Sequence, residues 1–255
     1  MTDRPAVLIT GGAKRIGAAI ARRFGDAGWH VVIHYGRSQA EAAELADALP
    51  SAEIVTCDLA DTAGAIAMID RLASQLEDWR VLINSGGVFA VDSVRELDLA
   101  TAREVMAVNA HTPAAMAQRF LATALAAGGR RVIQITDQKL ANPNPDFFSY
   151  TMSKHALAST VTMLSKARAD QRDRIYGLAP GAILASHDQS EAEAERSHRL
   201  NLLQRRTRAA EVADAALFLA QGWLASGQTL FVDSGQHLLD QPRDVIYLAR
   251  EQASA

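Results

Sequence analysis

The middle of the sequence contains three side chains whose types and spacing suit proton transfer. The apolar run "VIQI" (residues 132–135) predicts a buried strand, and Asp137 follows two residues after that run ends. Tyr150 and Lys154 are four residues apart in a segment of helical period, so they share one face of a helix. An ammonium beside a phenol lowers the phenol pKa from about 10 towards the working range. The pattern therefore indicates a general acid next to the end of a strand.

The loop "TGGAKRIG" (residues 10–17) has the composition of a phosphate-binding turn. Gly11 permits a close backbone approach, Gly17 lets a helix pack near the sheet, and Ile16 lies in the first turn of that helix. A helix N-terminus offers free N–H groups to a pyrophosphate. Arg15 stands where such loops usually have a third glycine, and it places a guanidinium near the phosphates. The alternatives are a purely structural turn and a solvated arginine.

The segment "IHYGRS" (residues 33–38) bears on which dinucleotide binds. It has no carboxylate for an adenosine ribose, and His34, Tyr35, Arg37 and Ser38 supply donors and positive charge instead. Arg37 can pair with a 2′-phosphate through two hydrogen bonds, which favours NADPH over NADH. His34 alone could also be a hydrogen-bonded histidine at a strand end.

Two further strand ends are candidate parts of the cofactor site. Asp58 and Leu59 follow the run "EIVTC" and could hold an adenine ring, although Asp58 could equally cap the next helix. In "INSGG", Asn84, Ser85 and Gly86 follow the fourth run, where a flat ring could lie against bare backbone.

All of these residues depend on elements that alternate along the whole chain. Short apolar runs are separated by stretches of helical period, which predicts βαβ units around a parallel sheet. No shift of composition interrupts the alternation, so we expect a single α/β domain over residues 1–255. Its expected fold is a doubly wound Rossmann fold, with about seven parallel strands and helices on both faces. Ligands of such sheets lie beyond the carboxyl ends of the strands, where the candidate residues fall.

The composition excludes several other classes of protein. The chain has 255 residues, of which 49% are hydrophobic and 22% charged, and its formal net charge is −3. That charge argues against a nucleic-acid partner bound through a basic surface. No apolar run approaches the ~20 residues that span a bilayer, and no signal-peptide pattern precedes the first strand. Cys57 is the one cysteine, which predicts a cytoplasmic protein; a small buried residue is a better interpretation of Cys57 than a nucleophile.

Taken together, these motifs resemble the short-chain dehydrogenase/reductase family along nearly the whole chain. The segments that carry the resemblance are "TGGAKRIG", "DL" at 58–59, "INSGG", "MAVNAHTP", "YTMSK", "LAPG" and "SGQTLFVDSG". The resemblance implies that Tyr150 is the general acid and that Lys154 binds the nicotinamide ribose and lowers the tyrosine pKa. It also implies that Asn109 holds a water in a proton relay, and that Pro180 and Gly181 edge the nicotinamide pocket. A homo-oligomer, usually a tetramer, is expected on the same ground.

Two departures from the usual family pattern make the resemblance more specific. Most members have serine in place of Asp137 and glycine in place of Arg15, and both departures resemble the pteridine reductases, including bacterial dihydromonapterin and dihydrofolate reductases. In that subgroup the arginine touches cofactor phosphate and pterin, and an aromatic residue at the place of Phe89 stacks on the pterin. Ser85 and Gly86 depart from the usual Asn-Ala.

The chemistry of Asp137 agrees with a nitrogen-rich substrate. A pterin presents ring nitrogens and an amino group, and a carboxylate can accept hydrogen bonds from their N–H groups. Reduction of the pterin C=N bond also needs a proton delivered to nitrogen. Desolvation would raise the pKa of Asp137 and Lys154 would lower it. The alternative role of Asp137 is a helix cap or a partner for Lys139.

These inferences lead to one principal function and two alternatives. We expect NADPH-dependent reduction of a dihydropterin, or of dihydrofolate, with Tyr150 and Asp137 supplying the proton and no metal taking part. The alternatives are a carbonyl reductase acting on a ketone or 3-oxoacyl substrate, and a non-catalytic NADPH-sensing regulator.

Two segments near the C-terminus each fit two roles. The charged stretch at about 183–208 corresponds to a substrate lid in this family, with Leu184 and His187 as candidate contacts, although its charges also fit a solvated helix. The C-terminal extension, 236–255, either packs across a subunit interface or covers its own sheet edge.

Overall fold

A parallel sheet forms the centre of the protein. The computed structural model describes residues 4–186 and 189–254. Within that part of the chain the sheet has seven strands: Ala6–Thr10 (β1), His30–Tyr35 (β2), Ala52–Thr56 (β3), Trp79–Asn84 (β4), Arg131–Ile135 (β5), Arg174–Pro180 (β6) and Thr229–Val232 (β7). Their order is β3-β2-β1-β4-β5-β6-β7, and every neighbouring pair is parallel. The strands are rich in valine, isoleucine and leucine because both faces of the sheet are covered.

Helices cover both faces of the sheet, as the sequence predicts. In the described ranges they are Arg15–Asp26 (α1), Gln39–Asp47 (α2), Thr62–Gln75 (α3), Leu99–Met106 (α4), Thr112–Thr123 (α5), Phe148–Ala167 (α6), Glu191–Ser197 (α7), Ala209–Ala220 (α8) and Val245–Ser254 (α9). One core contains apolar residues of α1, α2 and α8, and the other contains residues of α3, α5 and α6. The prediction of a single doubly wound α/β domain is therefore confirmed.

The strand order reverses between β1 and β4, and a crevice opens at their carboxyl ends. The loops that follow these two strands approach each other closely. A Cβ on Gly11 would lie 2.8 Å from the Cα of Gly86, and a Cβ on Gly17 would lie 2.2 Å from the carbonyl oxygen of Gly11. Glycine is therefore required at these positions by close approach of backbone to backbone.

The lid segment and the C-terminal extension pack against each other in the same chain. Helix α7 begins with a capping box, in which Ser190 and Glu193 exchange hydrogen bonds between side chain and backbone. Glu193 also pairs with Arg250 of α9 at 3.2 Å. The extension thus contacts α7 of its own chain, and His237 near its start stacks on Phe231 of the edge strand β7, with ring centroids 4.2 Å apart.

The lengths and compositions of the helices bear on whether the chain can cross a membrane. In residues 4–186 and 189–254, none is both long enough and apolar enough to do so.

Candidate active site

A cavity of about 500 Å³ lies at the carboxyl ends of β1, β4, β5 and β6. Its walls come from the loops that follow these strands, together with parts of the lid and of the C-terminal extension. From the sequence candidates it brings together Gly11, Arg15, Ile16, Gly17, Ser85, Gly86, Phe89, Asp137, Tyr150, Lys154, Pro180, Gly181 and Leu184. The residues predicted for chemistry and those predicted for the glycine loop thus share one pocket.

Asp137 and Tyr150 are joined by a direct hydrogen bond. The phenol hydroxyl of Tyr150 donates to Oδ2 of Asp137 at 2.7 Å. Oδ1 of Asp137 accepts from the backbone N–H of Lys139 at 2.9 Å and caps the short helical turn Gln138–Leu140. Asp137 is therefore a cap and a partner of the tyrosine at once, because its two oxygens serve different donors.

Burial controls the proton affinities of this pair. Desolvation raises the pKa of Asp137, although the N–H and the charge of Lys139 oppose the rise. The pKa of Tyr150 is raised well above its usual value by desolvation and then by the Asp137 carboxylate. The expectation that this phenol has a lowered pKa is therefore wrong, because burial first and the Asp137 carboxylate second both raise its pKa. The tyrosine keeps its proton near neutral pH.

Lys154 lies on the same helical face as Tyr150, as predicted. Its Nζ donates to the carbonyl oxygen of Ile135 at 2.8 Å and lies 5.6 Å from the centre of the Tyr150 ring. Desolvation lowers the pKa of Lys154 to about 8, although Asp137 opposes this fall. The ammonium is thus held at the end of β5, within the charge field of Asp137.

Asn109 fixes the loop that follows β4. It lies in a π-helical turn, Ala107–His111, of a kind often found at functional sites. Its Oδ1 accepts from the N–H of Val88 at 2.8 Å, and its Nδ2 donates to the Val88 carbonyl at 2.9 Å and to Ser153 Oγ at 3.1 Å. Because the side chain is occupied in this way, the predicted water relay would have to use another group, such as the main chain.

Four aromatic rings form a continuous chain that ends at the candidate acid. Phe89, 39% exposed at the cavity wall, meets the Tyr150 ring edge-on, with centroids 4.7 Å apart. Phe147 lies 4.3 Å from Phe89, and Tyr247 of α9 stacks on Phe147 at 5.9 Å. Phe89 thus presents a ring beside the candidate acid, where the resemblance places a stacking residue.

Arg15 adopts a backbone conformation that favours glycine. Its φ is +54°, in the left-handed region, which agrees with its place at a usual glycine position of the loop. The guanidinium donates to the carbonyl oxygen of Ala185 at 3.1 and 3.2 Å and to that of Leu184 at 3.4 Å. Arg15 therefore connects the glycine loop to the segment that follows β6.

Two residues expected to touch a cofactor have side chains with other roles. His34 is 2% exposed, its Nδ1 accepts from the N–H of Gly11 at 3.2 Å, and its Nε2 lies 3.1 Å from the Cys57 carbonyl oxygen. Because a carbonyl oxygen only accepts, Nε2 carries the proton, and neither ring nitrogen is available to a phosphate. Asn84 is also buried, and its Nδ2 donates to Pro113 and Gln134.

The remaining cofactor candidates lie outside the cavity wall. Tyr35 ends β2, Arg37 is exposed in the following turn, and Ser38 precedes α2. Asp58 accepts from the N–H of Ala60 at 2.9 Å, beside the buried Leu59. Helix α3 begins at Thr62, so Asp58 is not its cap.

Other observations concern Cys57 and the lid. Burial raises the pKa of the Cys57 thiol to about 11, which does not favour a nucleophile. The candidate contact His187 lies outside the described residues.

Three polar residues at the cavity wall were not among the predicted site residues, and one of them, Lys139, was considered only as an alternative partner of Asp137. Lys139 and Asp244 form a buried ion pair of 2.8 Å between the turn after β5 and the start of α9. His198 of the lid is 4% exposed, and its Nδ1 has no hydrogen-bond partner within the described ranges. Burial lowers the pKa of His198 to about 4. These residues lie in turns and near helix ends, where no hydrophobic periodicity predicts the direction of a side chain. Their charge alone did not indicate that they face the cavity.

The geometry is that of a dinucleotide-dependent reductase site, and comparison with known proteins agrees. A family model described as Enoyl-(Acyl carrier protein) reductase matches residues 11–237. Pteridine reductase 1 of Leishmania tarentolae is 25% identical, over 92% of this chain and 96% of its own.

Two solved structures superpose over most of the chain. FolM Alternative dihydrofolate reductase 1 from Brucella canis, complexed with NADP, has a TM-score of 0.87 and 32% identity, covering 94% of this chain and 96% of its own. The angucycline C-6 ketoreductase LanV, with bound NADP, has a TM-score of 0.83 and 27% identity, covering 92% and 96%.

These comparisons settle the class. The chain belongs to the short-chain dehydrogenase/reductase family, a family of oxidoreductases. The family resemblance of the sequence motifs is thereby confirmed.

Proposed function

We propose that this protein reduces a dihydropterin, or dihydrofolate, to its tetrahydro form with NADPH. The observation that carries the proposal is the hydrogen bond between Tyr150 and Asp137. A carboxylate in this place can accept from the ring N–H and amino groups of a pterin, whereas a simple ketone offers no such donors. The similarity to FolM and to pteridine reductase 1 supports the proposal, because their names describe a dihydrofolate reductase and a pteridine reductase.

The cofactor site fits a dinucleotide in its shape and charge. Gly11 and Gly86 leave a bare backbone surface where the two loops meet, and the N-terminus of α1 faces the same crevice. Arg15 brings a cation to that crevice, and Arg37 brings one to the end of β2. We assign Arg37, Ser38 and Tyr35 to the adenosine 2′-phosphate region, and Asp58 and Leu59 to the adenine.

The proposed reaction transfers one hydride and one proton. When bound, NADPH supplies a hydride to a ring carbon of the substrate C=N bond and leaves as NADP⁺. Tyr150 delivers the proton to the neighbouring nitrogen, and its raised pKa keeps that proton in place beforehand. Asp137 accepts from the substrate and takes part in restoring the proton to Tyr150. Phe89 packs against the pterin ring, and Lys154 binds the nicotinamide ribose.

A second candidate is a carbonyl reductase of the same fold. The likeness to LanV, whose name states ketoreductase activity, favours it. Asp137 argues against it, because a carboxylate at this place does not stabilise the oxyanion that develops as a ketone is reduced. Arg15 and Phe89 also belong to the pattern that resembles pteridine reductases.

The test follows the absorbance of NADPH with dihydrobiopterin, dihydromonapterin, dihydrofolate and a panel of ketones. We expect turnover of at least one pterin, and we expect Asp137→Ser to lower it by about 100-fold, the size of a lost proton-transfer contribution. Cofactor affinity should stay the same in Asp137→Ser, which serves as the control. Turnover of ketones with no pterin reduction would overturn the proposal.

Three further expectations from the resemblance stay predictions. They are a homotetramer, a cytoplasmic location and a lid at 183–208 that contacts the substrate through Leu184. Sedimentation of the purified protein would test the first of them.

A further inference from the structure

The ion pair between Lys139 and Asp244 lies almost fully out of water. Nζ of Lys139 is 2.8 Å from Oδ2 of Asp244, and the two side chains are 4% and 11% exposed. Lys139 Nζ also donates to Oδ1 of Asn144 at 2.9 Å. Since a buried charge without its partner is strongly destabilising, each of the two residues fixes the position of the other.

Asp244 is itself held in a defined orientation. Its backbone N–H donates to Oδ2 of Asp146 at 2.8 Å, and Arg243 Nε donates to the same carboxylate at 2.8 and 3.1 Å. Its Oδ1 accepts from the N–H of Ile246 at 3.0 Å, so both of its oxygens are engaged. The start of α9 is therefore anchored to the turn between β5 and α6.

The ion pair is directly connected to the candidate acid. The backbone N–H of Lys139 donates to Asp137 at 2.9 Å, and Asp137 accepts from Tyr150 through its other oxygen. Asp244 also lines the cavity, together with Val245 and Ile246. A displacement of Lys139 would therefore move the donor that orients Asp137.

We propose that Asp244, carried by the C-terminal extension, is a positioning residue that acts through Lys139 on the Asp137–Tyr150 pair. The extension is in this view part of the active site rather than a covering of it. The inference rests on the proposed function only in taking Tyr150 as the proton donor, and it holds for a pterin or a ketone substrate alike.

The charges around the pair give the expected direction of change. Three charged side chains influence the pKa of Asp137 or of Tyr150: Lys154 of α6, Lys139 and Asp244. The Lys139–Asp244 ion pair is itself surrounded by Asp146, Arg243, His155 and His198. Asp244 raises the pKa of Tyr150, and Lys139 lowers the pKa of Asp137. Loss of Asp244 leaves the Lys139 charge unneutralised, so both pKa values fall.

The test measures the pH dependence of kcat in the direction of reduction. The donor must be protonated, so activity is present below its apparent pKa and is lost as the pH rises through it. We expect Asp244→Asn to shift this descending limb down by about one pH unit, and Lys139→Met to shift it up by a similar amount. The double variant Lys139→Met/Asp244→Asn should return close to the wild-type profile, because the two charges are removed together.

A second buried ion pair provides a matched control. Arg130 and Asp173 pair at 2.7 Å at the amino ends of β5 and β6, which are the ends away from the cavity, and Asp173 is 1% exposed. Asp173→Asn should lower the unfolding temperature without moving the pH limb. If Asp244→Asn also lowers only the unfolding temperature, its role is structural and the proposal is overturned. A double variant that keeps the shift of one single variant would overturn it as well.

The substrate for this experiment is whichever compound of the panel is turned over. Failure of pterin reduction would therefore leave the pH experiment intact with a ketone. An unmoved limb with an active pterin substrate would contradict only the role of Asp244.

Discussion

Arg15 offers a direct test of the geometry at the phosphate loop. Its φ of +54° is a conformation in which a Cβ costs about 1–2 kcal/mol, whereas glycine adopts it freely. The side chain is exposed, so Arg15→Ala and Arg15→Gly remove the same guanidinium and little buried area. The difference between the two variants therefore isolates the backbone strain.

The sign of this difference is diagnostic. In an ordinary helical position, alanine is favoured over glycine by about 1 kcal/mol. At Arg15 we expect the reverse, with Arg15→Gly more stable than Arg15→Ala by about 1 kcal/mol, or roughly 3 °C in Tm. Both variants lose the hydrogen bonds to Leu184 and Ala185, so that loss cancels in the comparison.

The measurement is urea unfolding of both variants and of the wild type, with the slope of the transition checked for constancy. Binding of NADPH, followed by fluorescence, should weaken in both variants because each lacks the cation near the phosphates. An alanine variant as stable as the glycine variant, or more so, would show that residue 15 is not held in the left-handed conformation.

Three other predictions concern the cofactor end and the lid. Arg37→Asp should weaken NADPH binding by about 100-fold, the size of a lost charge-assisted pair, and NADH binding much less; if titrations show that neither affinity changes from the wild type, the 2′-phosphate binds elsewhere. Gly17→Ala should destabilise the fold by about 1–3 kcal/mol, since the new Cβ would meet the Gly11 carbonyl oxygen at 2.2 Å, and chemical unfolding measures this. For His198, whose pKa is about 4 in the fold, the unfolded chain binds the proton more readily, so stability falls as the pH drops from about 6.5 towards 4. His198→Leu should flatten that part of the stability curve, and an unchanged curve would contradict the burial of this ring.

The fold and the main cluster of the site could be predicted because they depend on local signals. Apolar runs give the strands, and in a parallel sheet all strand ends of interest meet at one edge. Asp137 follows the end of β5 and Tyr150 lies on one face of the next long helix, so the sequence could indicate that the two residues lie close together. The direction of the Tyr150 pKa did not follow, since it depends on how deeply the pair is buried, which the sequence does not show.

The side chains of His34 and Asn84 have partners that the sequence did not predict, and the physical reason is the same for both. His34 and Asn84 are polar residues near the ends of strands. A polar side chain there can form hydrogen bonds either with a ligand or with a neighbouring loop. Here the N–H of Gly11 and the carbonyl of Cys57 engage both nitrogens of the His34 ring, and Gln134 accepts from Nδ2 of Asn84. The sequence shows which residues can donate or accept hydrogen bonds, but it does not show which partner lies within hydrogen-bond distance in the folded protein.

Lys139, Asp244 and His198 show a further limit. Each belongs to a turn, a lid or a C-terminal extension, where no periodic pattern fixes the direction of a side chain. Their meeting at one cavity is a property of the tertiary structure, and it depends on the docking of α9 against α7 and the turn after β5.

The chain of rings from Tyr247 to Tyr150 has a consequence for how this enzyme can change in evolution. Phe89 touches both the candidate acid and Phe147, and Phe147 is in turn covered by Tyr247. A smaller residue at Phe89, which would admit a wider substrate, also removes the support of its neighbours. Divergence towards new substrates in this lineage should therefore proceed through paired replacements, in which the C-terminal helix changes together with the pocket wall.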